Sequence, residues 1–193
     1  MSKNKVRRKS QKHNPVILMA FGLALIGFAF LTMALPKSEG SASSSSSVVP
    51  APVNYPAPEL SLETVDGRIE ALADYRENIV LVNNWATWCP PCKAEMPTLA
   101  AYYTEHREEG FTVIAIEAGD PIDVVSPFVQ SYNLTFPVWL DPKGASLRAF
   151  GNGNLPNSYV IDRSGTVRYA WTGEINGATL EKYVTPLLTK DGS

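Results

Sequence analysis

The sequence predicts an α/β domain, a central β-sheet flanked by helices, preceded by a segment long and apolar enough to cross a membrane. Three observations carry that prediction. Apolar runs of strand length at 79–82 and 111–116 alternate with stretches of helical periodicity. Residues 16–35 form a run of 20 without a single charge. The only two cysteines, Cys89 and Cys92, stand three positions apart where a strand gives way to a helix.

The apolar segment comes first in the chain. As a helix rising ~1.5 Å per residue it would span roughly 30 Å, one bilayer core. Lys3, Lys5, Arg7, Arg8, Lys9 and Lys12 precede it, while Ser, Glu and Gly follow. That bias places a basic tail, 1–15, in the cytoplasm and the rest of the chain outside, with 16–35 as a single-pass signal-anchor of the cytoplasmic membrane. A cleaved signal peptide would carry a shorter apolar region of about 7–15 residues, and Ser41-Ala42-Ser43 offers only a weak cleavage site. No cysteine directly follows the run, which excludes a lipoprotein anchor. Residues 36–56, rich in Ser and then alternating Pro and Ala, read as a flexible linker.

Residues 57–193 have the length of one domain, and a hydrophobic content of 45% over the 193-residue chain supplies a core without metal or disulfides. From residue 40 onward 18 Asp and Glu face 10 Lys and Arg, with no basic cluster. Nucleic acid is thereby excluded as a partner.

Each element has its own signal. Residues 59–63 and 68–71 alternate around Asp66-Gly67, a β-hairpin at the domain entrance. The run 79–82 is continuously apolar, as in a strand covered on both faces. From Pro90 to about Glu109 the period turns helical, with Met96, Leu99, Ala100 and Tyr103 on one face, Pro97 set to kink it and Gly110 ending it. A buried strand at 111–116, a helix at 124–132 and a short strand at 137–140 follow. Strands at 158–162 and 166–171 around a turn at 163–165 form a second hairpin, and 178–188 closes the chain as a helix.

The spacing of Cys89 and Cys92 narrows their chemistry. A structural disulfide closing so small a loop would remove little chain entropy. Zinc needs four ligands, and beside this pair the domain offers one histidine, His106, which reads as a surface residue. Covalent haem needs a histidine directly after the second cysteine, where Lys93 stands. Reversible dithiol–disulfide exchange remains. At a helix start the dipole and unpaired N–H groups favour the thiolate, so Cys89 reads as the exposed nucleophile and Cys92, one turn on, as the resolving thiol. No metal or cofactor is implied beyond the redox-active Cys89–Cys92 pair.

The stretch Trp88-Cys89-Pro90-Pro91-Cys92-Lys93-Ala94-Glu95-Met96-Pro97 resembles the active site of thioredoxin-like proteins of the TlpA/ResA type, and the likeness runs over roughly 57–188, including Leu155-Pro156 before Ser158-Tyr159-Val160-Ile161-Asp162. The resemblance implies a thioredoxin fold with a central mixed β-sheet and the N-terminal hairpin as an extension. It also implies an exported protein thiol–disulfide oxidoreductase, often one that serves maturation of c-type cytochromes. In that family the proline at Pro156 is cis and, with Leu155, Trp88, Pro90 and Pro91, shapes the surface that meets a partner. Glu95 matches a glutamate that tunes the thiols, and it is the nearest carboxylate because Asn83 stands where thioredoxins proper bury an aspartate. Asn84 and the polar run Asn152-Gly153-Asn154 depart from the family pattern.

The expected partners are disulfides or thiols of exported proteins, apocytochrome c among them, with electrons from a membrane-embedded thiol donor. Two alternatives stand: an extracytoplasmic thiol oxidase, and a non-catalytic binding or assembly module. A peroxidase is disfavoured, since its reactive cysteine does not sit in a C-x-x-C.

Overall fold

The computed structural model describes residues 48–189. The expected basic tail and membrane anchor, and most of the linker, lie outside those residues. Among the described residues no helix is long and apolar enough to cross a membrane.

Eight strands form one sheet: β1 (Ala51–Pro56), β2 (Ser61–Thr64), β3 (Ile69–Ala71), β4 (Ile79–Trp85), β5 (Phe111–Glu117), β6 (Val138–Leu140), β7 (Asn157–Ile161) and β8 (Thr166–Thr172). Their order is β1-β8-β7-β4-β5-β6-β2-β3. Only β4, β5 and β6 run parallel to one another, and every other pairing is antiparallel, so the sheet is mixed. The continuous apolar character of β4 and β5 has its cause here, because both are buried along their whole length with neighbours on each side. The entrance hairpin β2–β3 joins the sheet through β2 on β6.

Strand alternation sorts the core into two layers. Ile79, Leu81 and Trp85 of β4, with Val113 and Ala115 of β5, pack in a cluster that contains Cys89, Cys92, Met96 and Leu99. Val80 and Val82, with Ile114 and Ile116, face the opposite cluster around Trp139 and Tyr159. By the same period of two, Asn83 shares the cysteine side and Asn84 points away from it.

Five helices cover the sheet: α1 (Pro90–His106), α2 (Ile122–Ser131), α3 (Ala145–Ala149), α4 (Gly177–Tyr183) and α5 (Thr185–Thr189). Pro97 is accommodated on the exposed side of α1, which continues through it as one element. The single helix expected at 178–188 is two: Pro186 has no N–H to donate, and the chain steps at Val184 before α5. The short α3 had no periodic signal. It is held at its start by Asp141, whose carboxylate accepts from the N–H groups of Ala145 (2.7 Å) and Ser146 (2.8 Å).

Two readings need correction. The last residues of the expected linker, 51–56, form strand β1, paired with β8, so the folded unit begins before residue 57. An edge strand tolerates Pro52 and Pro56, whose missing N–H groups cost little where no second neighbour waits. His106 is not a surface residue: only 6% of it is exposed, its ring lies 4.3 Å from that of Tyr102, and its two nitrogens meet Glu109 (3.4 Å) and Glu181 (3.3 Å). Burial opposes the imidazolium, but the hydrogen bonds to Glu181 and Glu109 prevail and raise its pKa above 6.5. The stabilisation this gives is therefore complete below about pH 6.5 and lost as pH rises through the folded pKa. Thermal unfolding of His106→Gln should fall below wild type by more at pH 5.5 than at pH 8.5. The pH-dependent part is at most about 1 kcal/mol, because both partners reach solvent.

Candidate functional site

The two sulfurs sit where β4 runs out and α1 begins, and are joined as a disulfide. Cys89 is the N-cap, with extended backbone at φ −89° and ψ 109°, and its sulfur accepts a hydrogen bond from the N–H of Cys92 at 3.4 Å. Pro90 and Pro91 fill the first two helical positions. Neither has an N–H, so the first free amide of the helix is that of Cys92, and it is the one aimed at Cys89. Once the disulfide opens, a thiolate at Cys89 would keep that donor and the positive end of the helix dipole.

Exposure separates the two cysteines, though by less than expected. Cys92 is wholly enclosed, and Cys89 keeps 4% of its surface. Trp88 stands beside it with 64% exposed, and Pro90, Pro91 and Lys93 are also exposed. Leu155 is half-buried against the cluster that holds both cysteines, and the Leu155–Pro156 bond is cis.

Glu95 follows Cys92 by three residues on the buried side of α1 and is completely enclosed. Its Oε1 accepts from Asn83 Nδ2 at 2.7 Å and its Oε2 from the Ile175 N–H at 3.2 Å. Burial pushes its pKa up to about 8 against the pull of those two donors, so the group carries a proton at neutral pH. Asn83 also donates to Ser158 Oγ at 3.0 Å, which ties Glu95 to β7. The sequence located Glu95 but gave no sign of Ile175, which reaches it from 80 residues downstream, or of Ser158, which holds its partner Asn83.

On the other face, Asn84 donates to Asn157 Oδ1 (2.8 Å) and accepts from Ser146 Oγ (2.6 Å), while Asn157 Nδ2 donates to the carbonyls of Asn154 (2.6 Å) and Asn152 (3.4 Å). All three side chains are buried. The polar residues that departed from the family pattern thus form one network, and it grips the loop that leads into Pro156.

Residues 117–120 adjoin the site unannounced by the sequence. Asp120 Oδ2 accepts from the N–H (3.1 Å) and hydroxyl (2.6 Å) of Thr87, two residues before Cys89. Away from the sulfurs, Glu105, His106 and Glu181 hold ligand-type atoms within 4.8 Å of one another, a cluster the reading of His106 as a lone surface residue had passed over.

Comparison with known proteins follows the same lines. Residues 53–170 match the AhpC/TSA family. A protein of Geobacillus thermodenitrificans named thiol-disulfide oxidoreductase ResA is 34% identical over 132 residues, 68% of this chain and 76% of the relative. One of the same name from Oceanobacillus iheyensis is 30% identical over 187 residues, 97% of this chain and 96% of the relative. Among solved structures, a thiol:disulfide interchange protein of the thioredoxin family from Chlorobium tepidum superposes with a TM-score of 0.65 at 30% identity, over 72% of this chain and 99% of that one. The sheet order and flanking helices are those of a thioredoxin fold.

Proposed function

The chain belongs to the AhpC/TSA family, and from that premise and the geometry of its sulfurs we propose that it reduces disulfides in exported proteins, with Cys89 as nucleophile and Cys92 as resolving thiol. That it is a thiol–disulfide oxidoreductase of thioredoxin fold is the broader statement, and its ResA-named relatives carry it. The finer reading rests on one observation: Cys89 keeps 4% of its surface open beside exposed Trp88, with the Cys92 amide on its sulfur, while Cys92 has none.

The steps balance as a two-electron exchange. The Cys89 thiolate attacks one sulfur of a partner disulfide, forming a mixed disulfide and releasing the partner's other sulfur as a thiolate. Cys92, deprotonated, then attacks the Cys89 sulfur, closing the intramolecular disulfide and releasing the second partner thiolate. When the disulfide is reopened and Cys92 leaves as a thiolate, protonated Glu95 supplies its proton, and the carboxylate so formed takes one back when Cys92 must ionise to attack. A second dithiol must return two electrons to Cys89–Cys92, and a membrane-embedded thiol carrier is the donor proposed. An unfolded exported chain with a Cys-x-x-Cys disulfide, such as apocytochrome c, is the substrate proposed, with exposed Trp88 and half-buried Leu155 as its contacts beside the cysteines. A membrane-anchored, extracytoplasmic placement is proposed from the uncharged run 16–35 and the basic residues that precede it.

Cys92→Ser should accumulate mixed disulfides through Cys89, identified by mass spectrometry of trapped adducts. Adducts found on Cys92 in Cys89→Ser, and none in the converse variant, would reverse the roles. The direction is tested by equilibration against glutathione: a reductase requires a potential well below that of the glutathione couple, and an oxidising potential would make the protein a thiol oxidase. Placement is tested by washing membranes with high salt. Retention with the domain shielded from cytoplasmic labels is expected, and a soluble form beginning near Ser43 would exclude the anchor.

A further inference from the structure

The cysteine side of the sheet carries a second buried carboxyl group that these steps do not use. Glu117 ends β5 opposite Trp85 in the parallel ladder and has no exposed surface. Its Oε2 accepts the backbone N–H groups of Gly119 (3.1 Å) and Asp120 (2.8 Å). Its Oε1, equally buried, has no hydrogen-bond donor. The Asp120 carboxyl lies against this side chain. Through its hold on the N–H and hydroxyl of Thr87, Asp120 fixes the corner from which Trp88 and Cys89 project.

We propose that Glu117 is a positioning residue for disulfide exchange: a proton-bearing acid that bridges to Asp120 and thereby keeps the Thr87–Cys89 corner in place. This rests on the reading of Cys89 as the sulfur that meets the partner. The inference comes from counting donors. Two adjoining carboxylates, one of them wholly desolvated, cannot both carry charge without strong repulsion. One shared proton removes the repulsion and lets Oε1 make the hydrogen bond it lacks. Each carboxyl already receives two donors, so burial decides: the proton belongs to Glu117, which is enclosed, whereas Asp120 is partly exposed.

The surroundings agree. Glu117 is pushed up to about 8 by burial and then by Asp120, against its two backbone donors. Burial works upward on Asp120 too, but the bonds from Thr87 and Glu117 hold it below the ordinary range. The strand neighbours of Glu117 are uncharged, Trp85 on β4 and Leu140 on β6. Asp141, whose N–H binds the Glu117 carbonyl, turns its carboxylate to Ala145 and Ser146, and Asp123 at the start of α2 is exposed. Among the described residues no basic group is paired with either carboxyl. As pH rises through the Glu117 range a second negative charge therefore meets Asp120, slackens its hold on Thr87, and adds repulsion toward any thiolate approaching Cys89.

The test is reduction of the oxidised full-length protein in detergent by dithiothreitol, with rate constants corrected for reagent thiolate, between pH 6 and 9.5. In Glu95→Gln, Glu117 is the buried carboxyl left to titrate on the cysteine side of the sheet, and the corrected constant should fall about three- to tenfold from pH 7 to 9. In Glu95→Gln/Glu117→Gln it should stay level. Infrared spectra at pH 7 should lose a protonated-carboxyl band in Glu117→Gln. Superimposable profiles for the single and double variants would overturn the proposal, while trapping of mixed disulfides at Cys89 would stand unaffected. Should the glutamine variant not fold, Asp120→Asn provides the second measurement. Removing its charge must lower the midpoint at which the Glu117 infrared band disappears, and an unmoved midpoint overturns the proposal.

Discussion

Glu95→Gln is expected to remove one of two similar contributions to the pH dependence of stability between pH 5 and 8, the other being that of Glu117, and to slow disulfide exchange at neutral pH on the order of 10²-fold, the lower end for loss of a positioned acid. The stability effect has a definite sign. Glu95 ionises near 4.5 when unfolded and near 8 when folded, because burial disfavours its charge. Below 4.5 both states are protonated and the group adds nothing. Between those values the unfolded chain has released its proton and the native state has kept it, so stability falls as pH rises, levelling above about 8. The full penalty is on the order of a few kcal/mol. Glutamine cannot ionise, so the slope left over this window should be that of Glu117 and His106 alone. Its amide also fits, since Asn83 has an unpartnered Oδ1 that can turn to receive the new N–H. In alkylation-rate titrations the variant's thiol pKa should be lower, because the carboxylate that opposes a thiolate above pH 8 is gone. Unfolding and alkylation curves that overlay wild type would return Glu95 to a purely structural place.

How far the residues announced this site depends on the range over which each contact is made. The cysteine pair and the helix start carry local signals, a strand-to-helix junction and paired prolines, whereas Pro156 was marked only by the family resemblance. Continuous apolar runs likewise located β4 and β5, and Asp66-Gly67 the hairpin β2–β3. What the sequence withheld are contacts between residues far apart in the chain. Nothing local connects Asn83 with Ser158, or Asn84 with Ser146. Asn84 could be seen only as a departure from pattern until strand alternation put it on the face opposite Asn83. Glu117 lay one residue past the expected strand 111–116 and drew no reading of its own, and its burial at the end of β5 is set by tertiary packing. His106 and strand β1 were misread for a related reason. Their composition favoured solvent, and tertiary partners, Glu181 and Tyr102 for one and the edge of β8 for the other, decided otherwise.

Asn84→Ala is expected to cost about 2–4 kcal/mol of stability, more than its small size suggests. The side chain is enclosed between β7 and α3, and its removal leaves the Asn157 carbonyl oxygen and the Ser146 hydroxyl buried with neither partner nor water access. An orphaned buried polar atom keeps its full desolvation cost, whereas a network deleted from both ends does not. Asn84→Ala/Asn157→Ala should therefore be less destabilised than the two single variants summed, by about 1–2 kcal/mol in denaturant unfolding. Additivity within ~0.5 kcal/mol would show that the two asparagines act independently. The consequence for exchange is selective. Asn157 holds the carbonyls of Asn152 and Asn154, so loosening it frees the loop before Pro156 while leaving Cys89, Cys92 and Glu95 on the other face of the sheet as they are. A small thiol, which needs only the sulfur, should reduce the Asn84→Ala disulfide at close to the wild-type rate. A polypeptide, which must lie along that loop, should exchange more slowly, through KM rather than kcat. Equal slowing toward both would mean that the network supports the sulfurs themselves and not the surface beside them.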